Sequence, residues 1–330
     1  MNRKVSVAPM MDCTDRHERY FLRLISKNVL LYTEMIVSEA IDRGDRKKLL
    51  SFNIKEKPLA LQLGGSSPKL LAQAAKIGEE FGYDEINLNL GCPSKKVQKN
   101  KFGACLIKEP NLVADCLNEM QAKTKLPVTV KTRIGYDQVD SYEHLYNFIK
   151  ILKSTGVKTF IIHARKAMLG NYTPKQNLNI PPLKYEMVYN LKKDFKDLEL
   201  IINGGINSTE QIQKHLHQVD GTMLGRAVYH SPYLLADVEK EIFNNSNIPS
   251  RNEVIENLVL YLKQEVKKGT RINQVMRHTL GLYHGQTGSN FWKRYLSQNM
   301  CVREADIQKV DHIMDKVKSN QLTYSAGQID

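Results

Sequence analysis

Eight strand-like runs alternate with helical segments through the first two-thirds of the chain, and this alternation limits the folds available to it. The runs occupy residues 5–10, 30–35, 59–63, 85–90, 128–133, 159–165, 198–204 and 221–225. Residues 70–81 and 142–153, which lie between runs, repeat apolar side chains at helical spacing. The pattern predicts an α/β fold, a (β/α)₈ TIM barrel. A doubly wound sheet is the alternative, but no G-x-G-x-x-G follows the first strand.

A composition change near residue 244 predicts a second domain. The stretch Asn-Asn-Ser-Asn-Ile-Pro-Ser at 244–250 is typical of a linker. Beyond it, apolar residues return at helical spacing in two stripes, namely Val254, Leu258 and Leu262, and then Ile307, Val310, Met314 and Val317. We therefore predict a barrel domain over residues 1–243 and an all-α helical bundle of about four helices over residues 244–330.

Net charge and cysteine content limit the classes of binding partner and the cellular compartment that we expect for this chain. Lysine plus arginine number 48 against 35 acidic residues, a net charge of +13. This excess indicates either a polyanionic partner or simply a basic protein. No apolar run is long enough to span a membrane, and the first residues lack a secretory signal. The five cysteines show neither zinc-site nor disulfide spacing, so we expect a cytoplasmic protein without a metal.

The stretch Glu-Ile-Asn-Leu-Asn-Leu-Gly-Cys-Pro-Ser at 85–94 combines a strand with an abrupt turn. Apolar and polar residues alternate up to Leu90, and Cys92 then stands between Gly91 and Pro93. A thiol on such a turn, at the carboxyl end of a strand, is well placed to meet a ligand. A buried structural cysteine is the other interpretation.

Polar residues end nearly every predicted strand, which indicates a ligand site on one face of the barrel. These residues are Asp12, Gln62, Asn89, Cys92, Lys131, Arg133, His163, Arg165, Lys166, Asn203 and Arg226. The last two strands add glycines in Asn203-Gly204-Gly205 and Gly225-Arg226. Glycine lets backbone N–H groups approach an anion closely, and loops after strands seven and eight form the usual phosphate site of this fold. We therefore expect a phosphorylated ligand.

Several separated motifs carry a resemblance to a known family. They occupy residues 8–17, 85–94, 128–133, 162–166, 180–183 and 202–206. With these motifs the chain resembles the tRNA-dihydrouridine synthases over nearly its whole length, and in particular their A-type subgroup, which acts on uridines 20 and 20a of the tRNA D-loop. The resemblance implies a flavin (FMN) barrel with a C-terminal helical domain. It also implies NADPH as reductant, with NADH as an alternative, and a monomer that binds tRNA.

Family roles transfer to matching positions of this sequence. The implied FMN contacts are Pro9, Met10, Met11, Gln62, Lys131, His163, Asn203, Gly204, Gly205, Gly225 and Arg226. Cys92 matches the catalytic cysteine. The implied tRNA contacts are Asn89, Lys175, Leu178, Asn290 and Lys293. The chain departs from the family at Leu178 and Asn290, where basic residues are expected, and at Cys13 and Met168, where tryptophan is more usual.

The reaction that the resemblance implies is reduction of the uracil C5–C6 double bond. Cys92 would donate a proton to C5, and Lys131 would stabilise negative charge on the reduced flavin. His163 with Arg165 would orient either the flavin or the uracil. The target base would have to leave the tRNA stack. Two alternatives remain open: a flavin barrel that reduces a free small molecule, and a tRNA-binding protein without catalysis.

Overall fold

The computed structural model describes residues 1–300, without the side chains of Pro174 and Asn299. The chain forms two compact units that are not contiguous in sequence. The first consists of Met1–Asp12, Val29–Ile206 and Glu210–Gly225, and the second of Cys13–Asn28, Asn207–Thr209 and the described residues from Arg226 onward. The division at residues 243 and 244 stays a prediction. The predicted apolar stripe at residues 307–317 lies outside the described residues.

The first unit is a parallel barrel, which confirms the predicted fold class. Its strands are β1 Val5–Val7, β2 Leu31–Tyr32, β3 Ile36–Val37, β4 Leu59–Gly64, β5 Glu85–Leu90, β6 Val128–Arg133, β7 Thr159–His163, β8 Glu199–Asn203 and β9 Gly221–Leu224. Their order is β1-β9-β8-β7-β6-β5-β4-β2, and a parallel bridge between Ser6 and Leu30 joins the two ends. Since β2 and β3 both pair with β4, the predicted strand at 30–35 forms as two short pieces.

Helices lie between most of these strands. In chain order the described α-helices are α1 Arg16–Ile25, α2 Ser38–Arg43, α3 Arg46–Leu50, α4 Pro68–Glu80, α5 Lys95–Lys99, α6 Pro110–Lys123, α7 Tyr142–Lys153, α8 Pro174–Asn179, α9 Tyr185–Asp194, α10 Thr209–Leu216, α11 Arg226–His230, α12 Leu234–Glu241, α13 Arg251–Lys267, α14 Ile272–Met276 and α15 Ser289–Asn299. Short 3₁₀ turns occupy Ile54–Glu56, Gly103–Lys108 and Arg277–Gly281. None of the helices within residues 1–300 combines the length and the apolarity that crossing a membrane requires.

Local sequence signals explain where the longer helices of the first unit begin and how closely they pack. Ser67 and Ser141 precede α4 and α7, and each side chain accepts a hydrogen bond from a first-turn backbone N–H. On α4, Gly78 lies against β5, and a Cβ there would come 2.7 Å from Ile86 Cδ1. The glycine therefore permits a close approach of helix and strand.

Side chains alternate between the barrel interior and the surrounding helices. One interior layer consists of Ala8, Leu30, Tyr32, Ala60, Ile161, Ile201 and Met223, with Met10 packed against it. Because side chains on a strand repeat their direction every second residue, the positions two residues later also face inward. These positions include His163 and Asn203, at the carboxyl ends of β7 and β8. The apolar layer therefore supports a polar layer at the mouth of the barrel, which we define as the carboxyl end of its strands.

The second unit is helical and has a core of its own. The predicted stripe of Val254, Leu258 and Leu262 is fully buried on α13. Trp292 on α15 is also buried, and its indole nitrogen donates to the Thr279 carbonyl at 2.9 Å. The predicted linker at 244–250 forms neither helix nor strand.

Candidate active site

Cys92 stands on a turn that the preceding strand holds in place. The side-chain oxygen of Asn89, near the end of β5, accepts hydrogen bonds from the backbone nitrogens of Gly91 and Cys92 at 3.1 and 3.0 Å. After the turn, the hydroxyl of Ser94 caps α5 by accepting from Val97 N. Asn89 thus provides the acceptor for two N–H groups that have just left the β ladder, and the half-buried Cys92 is fixed relative to β5.

A glycine secures the other side of the turn. The carbonyl of Cys92 accepts a hydrogen bond from Ala104 N at 3.0 Å. Gly103, with φ of 71°, lies so close that a Cβ would come 2.6 Å from this carbonyl oxygen. A left-handed conformation and this contact both require glycine at position 103.

Arg133 and Gln98 tie the Cys92 turn to the long loop after β7. Arg133 Nε donates to the Gly91 carbonyl at 2.9 Å, and Nη1 donates to the Lys166 carbonyl at 3.0 Å. Burial and the neighbouring Arg165 lower the pKa of Arg133 to about 10, which still leaves it charged at neutral pH. Gln98 donates to the Pro93 carbonyl and accepts from Gly170 N. The two loops are therefore one connected structure.

Asn177 is a positioning residue that the sequence did not reveal. Its side chain is fully buried, and it accepts from Met168 N at 2.6 Å and donates to the Met168 carbonyl at 2.9 Å. It thereby anchors α8, which carries the predicted tRNA contacts Lys175 (exposed) and Leu178 (half-buried). No periodicity or motif marks Asn177, because it acts on backbone atoms nine residues away.

Lys131 and Asn203, two predicted FMN contacts, meet inside the barrel mouth. Lys131 Nζ donates to Asn203 Oδ1 at 3.2 Å, and Asn203 Nδ2 donates to the Met223 carbonyl at 2.7 Å. Burial, assisted by the charge of Arg133, lowers the pKa of Lys131 to about 7. The site thus holds a lysine that gains or loses its charge near neutral pH.

The glycines after β8 line the mouth beside His163. Gly204 has φ of 120°, and a Cβ there would meet the His163 ring at 3.1 Å and Leu183 at 2.9 Å. The hydroxyl of Tyr185 donates to the Gly204 carbonyl at 2.6 Å. Only glycine fits this close approach, so the backbone of the β8 loop lies directly against the interior of the barrel.

The structure brings together most of the predicted site residues of the first unit. Gln62 bonds to Asn89, Lys131 to Asn203, His163 lies beside Gly204, and Gly225 lies beside Met10. Within the same unit, Pro9 is half-buried, whereas Met11 and Gly205 are exposed. Three predicted residues belong to the second unit, namely Arg226, Asn290 and Lys293. Asn290 lines an open depression of about 420 Å³ with residues 286–289, Phe291 and Arg294.

The surface next to Cys92 is rich in lysine. Four exposed lysines lie on α5 and the turn that follows it, namely Lys95, Lys96, Lys99 and Lys101. This concentration of positive charge within ten residues of the thiol favours an anionic macromolecule. Within the described residues no cluster of His, Cys, Asp and Glu side chains suits a metal ion.

Comparison with known proteins identifies the family. The profile of the dihydrouridine synthase (Dus) family matches residues 6–318. A protein of Synechocystis named tRNA-dihydrouridine(20/20a) synthase is 54% identical over 91% of this chain and 90% of its own length. Proteins of the same name from Escherichia coli K12 and Shewanella oneidensis are 50% and 49% identical over 95% and 97% of this chain, and over 91% and 96% of their own lengths. The chain belongs to the dihydrouridine synthase family and is an oxidoreductase of that family.

A solved structure with little sequence similarity shares the fold. A 2-naphthoyl-CoA reductase in complex with 2-naphthoyl-CoA superposes with a TM-score of 0.52 over 73% of this chain and 50% of that chain, at 12% identity. At this identity the similarity concerns the fold alone.

Proposed function

We propose that this protein reduces the C5–C6 double bond of uridine 20, uridine 20a or both in the D-loop of tRNA. The observation that carries the proposal is the Cys92 turn, which Asn89 and Arg133 fix at the mouth of a barrel whose interior ends in Lys131, His163 and Asn203. Relatives about half identical to this chain over nine-tenths of its length bear the name of this activity.

The residues of the first unit are compatible with FMN. Gly204 and Gly225 bring backbone close to the mouth, and a Cβ on Gly225 would meet only Met10 Sδ at 3.6 Å and Ala8 Cβ at 3.8 Å. Lys131 and the Gln62 amide offer donors to a ring with several polar atoms. Bound FMN would supply the hydride that uracil C6 receives. The remaining predicted contacts, including Arg226, are kept in this proposal.

Cys92 supplies the proton in this proposal. Reduction at C6 leaves negative charge centred on C5 and the adjacent carbonyl, so a proton must reach C5, and the thiol of Cys92 is the donor. The turn presents this thiol at a fixed position relative to β5, which favours proton transfer along one direction. Lys131, when protonated, stabilises negative charge developed in the barrel mouth.

The basic surface supports a tRNA substrate. A uridine in a folded tRNA must leave its stack to reach the barrel mouth, at a cost of a few kcal/mol. Phosphate contacts from Lys95, Lys96 and the other lysines of α5 would offset this cost. Asn89, Lys175 and Leu178 in the first unit, and Asn290 and Lys293 in the second, are kept as tRNA contacts. A cytoplasmic location and a monomeric state belong to the same proposal.

The decisive experiment measures dihydrouridine at each D-loop position in tRNA from cells that lack this gene, with wild type or Cys92→Ala supplied back. Loss at positions 20 and 20a, restored by wild type alone, supports substrate, position and proton donor together. Unchanged tRNA contradicts the proposed function.

A second experiment tests substrate and reductant with the purified protein. We expect FMN to copurify, NADPH to reduce it faster than NADH, and folded tRNA but not free uridine to be turned over. Turnover of free uridine at a comparable rate would favour a small-molecule reductase.

A further inference from the structure

A continuous series of buried side-chain hydrogen bonds runs from the floor of the barrel to the Cys92 turn. It starts at Glu85, the first residue of β5, which is completely buried. Glu85 Oε2 accepts from Arg3 Nε at 2.6 Å, and Oε1 accepts from the hydroxyls of Tyr32 at 2.7 Å and Thr129 at 2.6 Å. The carboxylate is therefore surrounded by hydrogen-bond donors.

From Thr129 the series continues through the side-chain amides of Asn87, Gln62 and Asn89. Asn87 Nδ2 donates to Thr129 Oγ1 at 2.9 Å, and Gln62 Nε2 donates to Asn87 Oδ1 at 2.8 Å. Asn89 Nδ2 then donates to Gln62 Oε1 at 2.8 Å. Asn89 Oδ1 completes the series by accepting hydrogen bonds from the backbone nitrogens of Gly91 and Cys92.

The two ends of this series fix the direction of every bond in it. A carboxylate can only accept, so the Thr129 hydroxyl must donate to Glu85 and has its oxygen left to accept from Asn87. Backbone N–H groups can only donate, so Asn89 must turn its oxygen toward the Cys92 turn. Each amide between has one orientation that satisfies both neighbours. Reversal of one amide would place two donors or two acceptors face to face, which is costly in a buried site.

We propose that Glu85 is a positioning residue that fixes Cys92 through Thr129, Asn87, Gln62 and Asn89. The charge of Glu85 holds the amides in the one orientation that leaves the side-chain oxygen of Asn89 for the turn that carries the thiol. The effect of Glu85 on proton transfer from Cys92 rests on the proposed function. The effect of Glu85 on the conformation of the Cys92 turn does not. Gln62, a predicted FMN contact, is thereby also held in one orientation.

The test compares substitutions of two glutamates, Glu85 and Glu199, that bind the same residue, Arg3. Glu85→Gln keeps the shape, but Arg3 Nε can only donate and therefore takes the amide oxygen, which leaves the amide nitrogen to donate to Thr129. The series then either breaks or reverses, and reversal would turn Asn89 Nδ2 toward the backbone donors of the Cys92 turn. Glu199→Gln is the matched control, because Glu199 also binds Arg3, at 2.9 Å, but bonds to Thr159 rather than to the series. Thr129→Val is the second variant, because it interrupts the series without altering a charge. If Glu85→Gln does not fold, Thr129→Val takes its place in the test.

The first readout is hydrogen exchange at the Gly91 and Cys92 amides of the resting protein, without tRNA or reductant. We expect exchange there to be about fivefold faster in Glu85→Gln and Thr129→Val and unchanged in Glu199→Gln. Exchange at the turn that is equal in Glu85→Gln and Glu199→Gln, or that increases uniformly over all strands, would overturn the proposal. This readout needs no activity, so it stands apart from the proposed function.

The second readout separates positioning from binding. In single-turnover reduction of tRNA we expect a rate roughly tenfold lower in Glu85→Gln, with an unchanged half-saturating concentration of tRNA. Because Gln62 is also a predicted FMN contact, the rate of flavin reduction by NADPH should fall by less than the rate of tRNA reduction. Equal losses in the rate of flavin reduction and in the rate of tRNA reduction would indicate a purely structural role and would contradict the proposal.

Discussion

The ammonium group of Lys131 donates to the side-chain oxygen of Asn203 across 3.2 Å, and this partner is neutral. A carboxylate in the same place would hold the lysine in its charged form. Burial instead lowers the pKa of Lys131 to about 7, and the nearby charge of Arg133 acts in the same direction. The protonation of this residue is therefore coupled to folding and to any anion that enters the barrel mouth.

Stability should depend on pH through Lys131. Above pH 7 the folded protein holds this lysine neutral, whereas the unfolded chain keeps its proton up to a pKa of about 10.4. The unfolded state then binds more protons, so the contribution of Lys131 to stability rises between these values and is constant below pH 7. Relative to Lys131→Met, wild type should gain up to about 1.4 kcal/mol per pH unit in this window.

Urea unfolding of the FMN-free protein from pH 6.5 to pH 9.5 measures this difference. Lys150→Met, which removes an exposed lysine of α7, is the control and should follow wild type. Parallel curves for wild type and Lys131→Met would mean that Lys131 keeps an ordinary pKa, contrary to this prediction.

Cys92 and Cys105 provide a matched pair for the proton-donor role. Both are half-buried, but Cys105 Sγ contacts the Phe102 carbonyl at 2.9 Å, and burial raises the pKa of its thiol. We expect Cys92→Ala to keep FMN and NADPH oxidation but to lose at least about 99% of dihydrouridine formation, a typical effect of removing a general acid. Cys105→Ala should retain most of the activity. Full product yield from Cys92→Ala, measured by mass spectrometry of tRNA digests, would remove the cysteine from the mechanism.

Local patterns predicted those parts of the site that a strand or helix determines by itself. Alternation along β5 gave Asn87 and Asn89 a common face, and residues 142–153 form α7 with the predicted bounds, since Ser141 caps the helix. The Cys92 turn followed from Gly91 and Pro93 in the same way.

Long-range contacts could not be predicted, because no spacing encodes them. Arg3 and Glu85 are 82 residues apart, and Arg133 meets the Gly91 carbonyl from 42 residues away. The assignment of α1 to the helical unit is a further case. Within this unit the carboxylates of Asp15 and Glu18 lie 3.1 and 3.0 Å from the ring nitrogens of His278, contacts that hydrophobic periodicity does not register.

Varying the salt concentration should reveal the contribution to tRNA binding of the four exposed lysines on α5 and the turn that follows it. Replacement of Lys95, Lys96, Lys99 and Lys101 by serine removes four exposed charges beside the Cys92 turn. For each phosphate that these lysines no longer neutralise, the slope of log K against log salt should become shallower by about 0.7 to 0.9. Binding titrations at salt concentrations from low to well above physiological measure this slope. A control that replaces the exposed Lys150 and Lys193 should keep the wild-type slope, and an unchanged slope in the α5 variant would exclude these lysines from the interface.

The stability of the helical unit should decrease at alkaline pH because of His278. Its ring is fully buried, with Nε2 3.1 Å from Asp15 Oδ1 and Nδ1 3.0 Å from Glu18 Oε2. Burial opposes the charged ring, but the two carboxylates outweigh this and raise the pKa of His278 to about 9. Since the folded pKa exceeds the unfolded value of about 6.5, the stabilisation is complete below pH 6.5 and is lost as pH rises through 9.

Thermal unfolding of wild type and His278→Gln from pH 6 to pH 9.5 tests this dependence. The advantage of wild type should be largest near pH 6 and should shrink by up to about 1.4 kcal/mol per pH unit between 6.5 and 9. His284→Gln, at an exposed site, controls for the loss of a histidine as such. A constant difference across the range would mean that the pKa of His278 is not raised in the folded protein, contrary to this prediction.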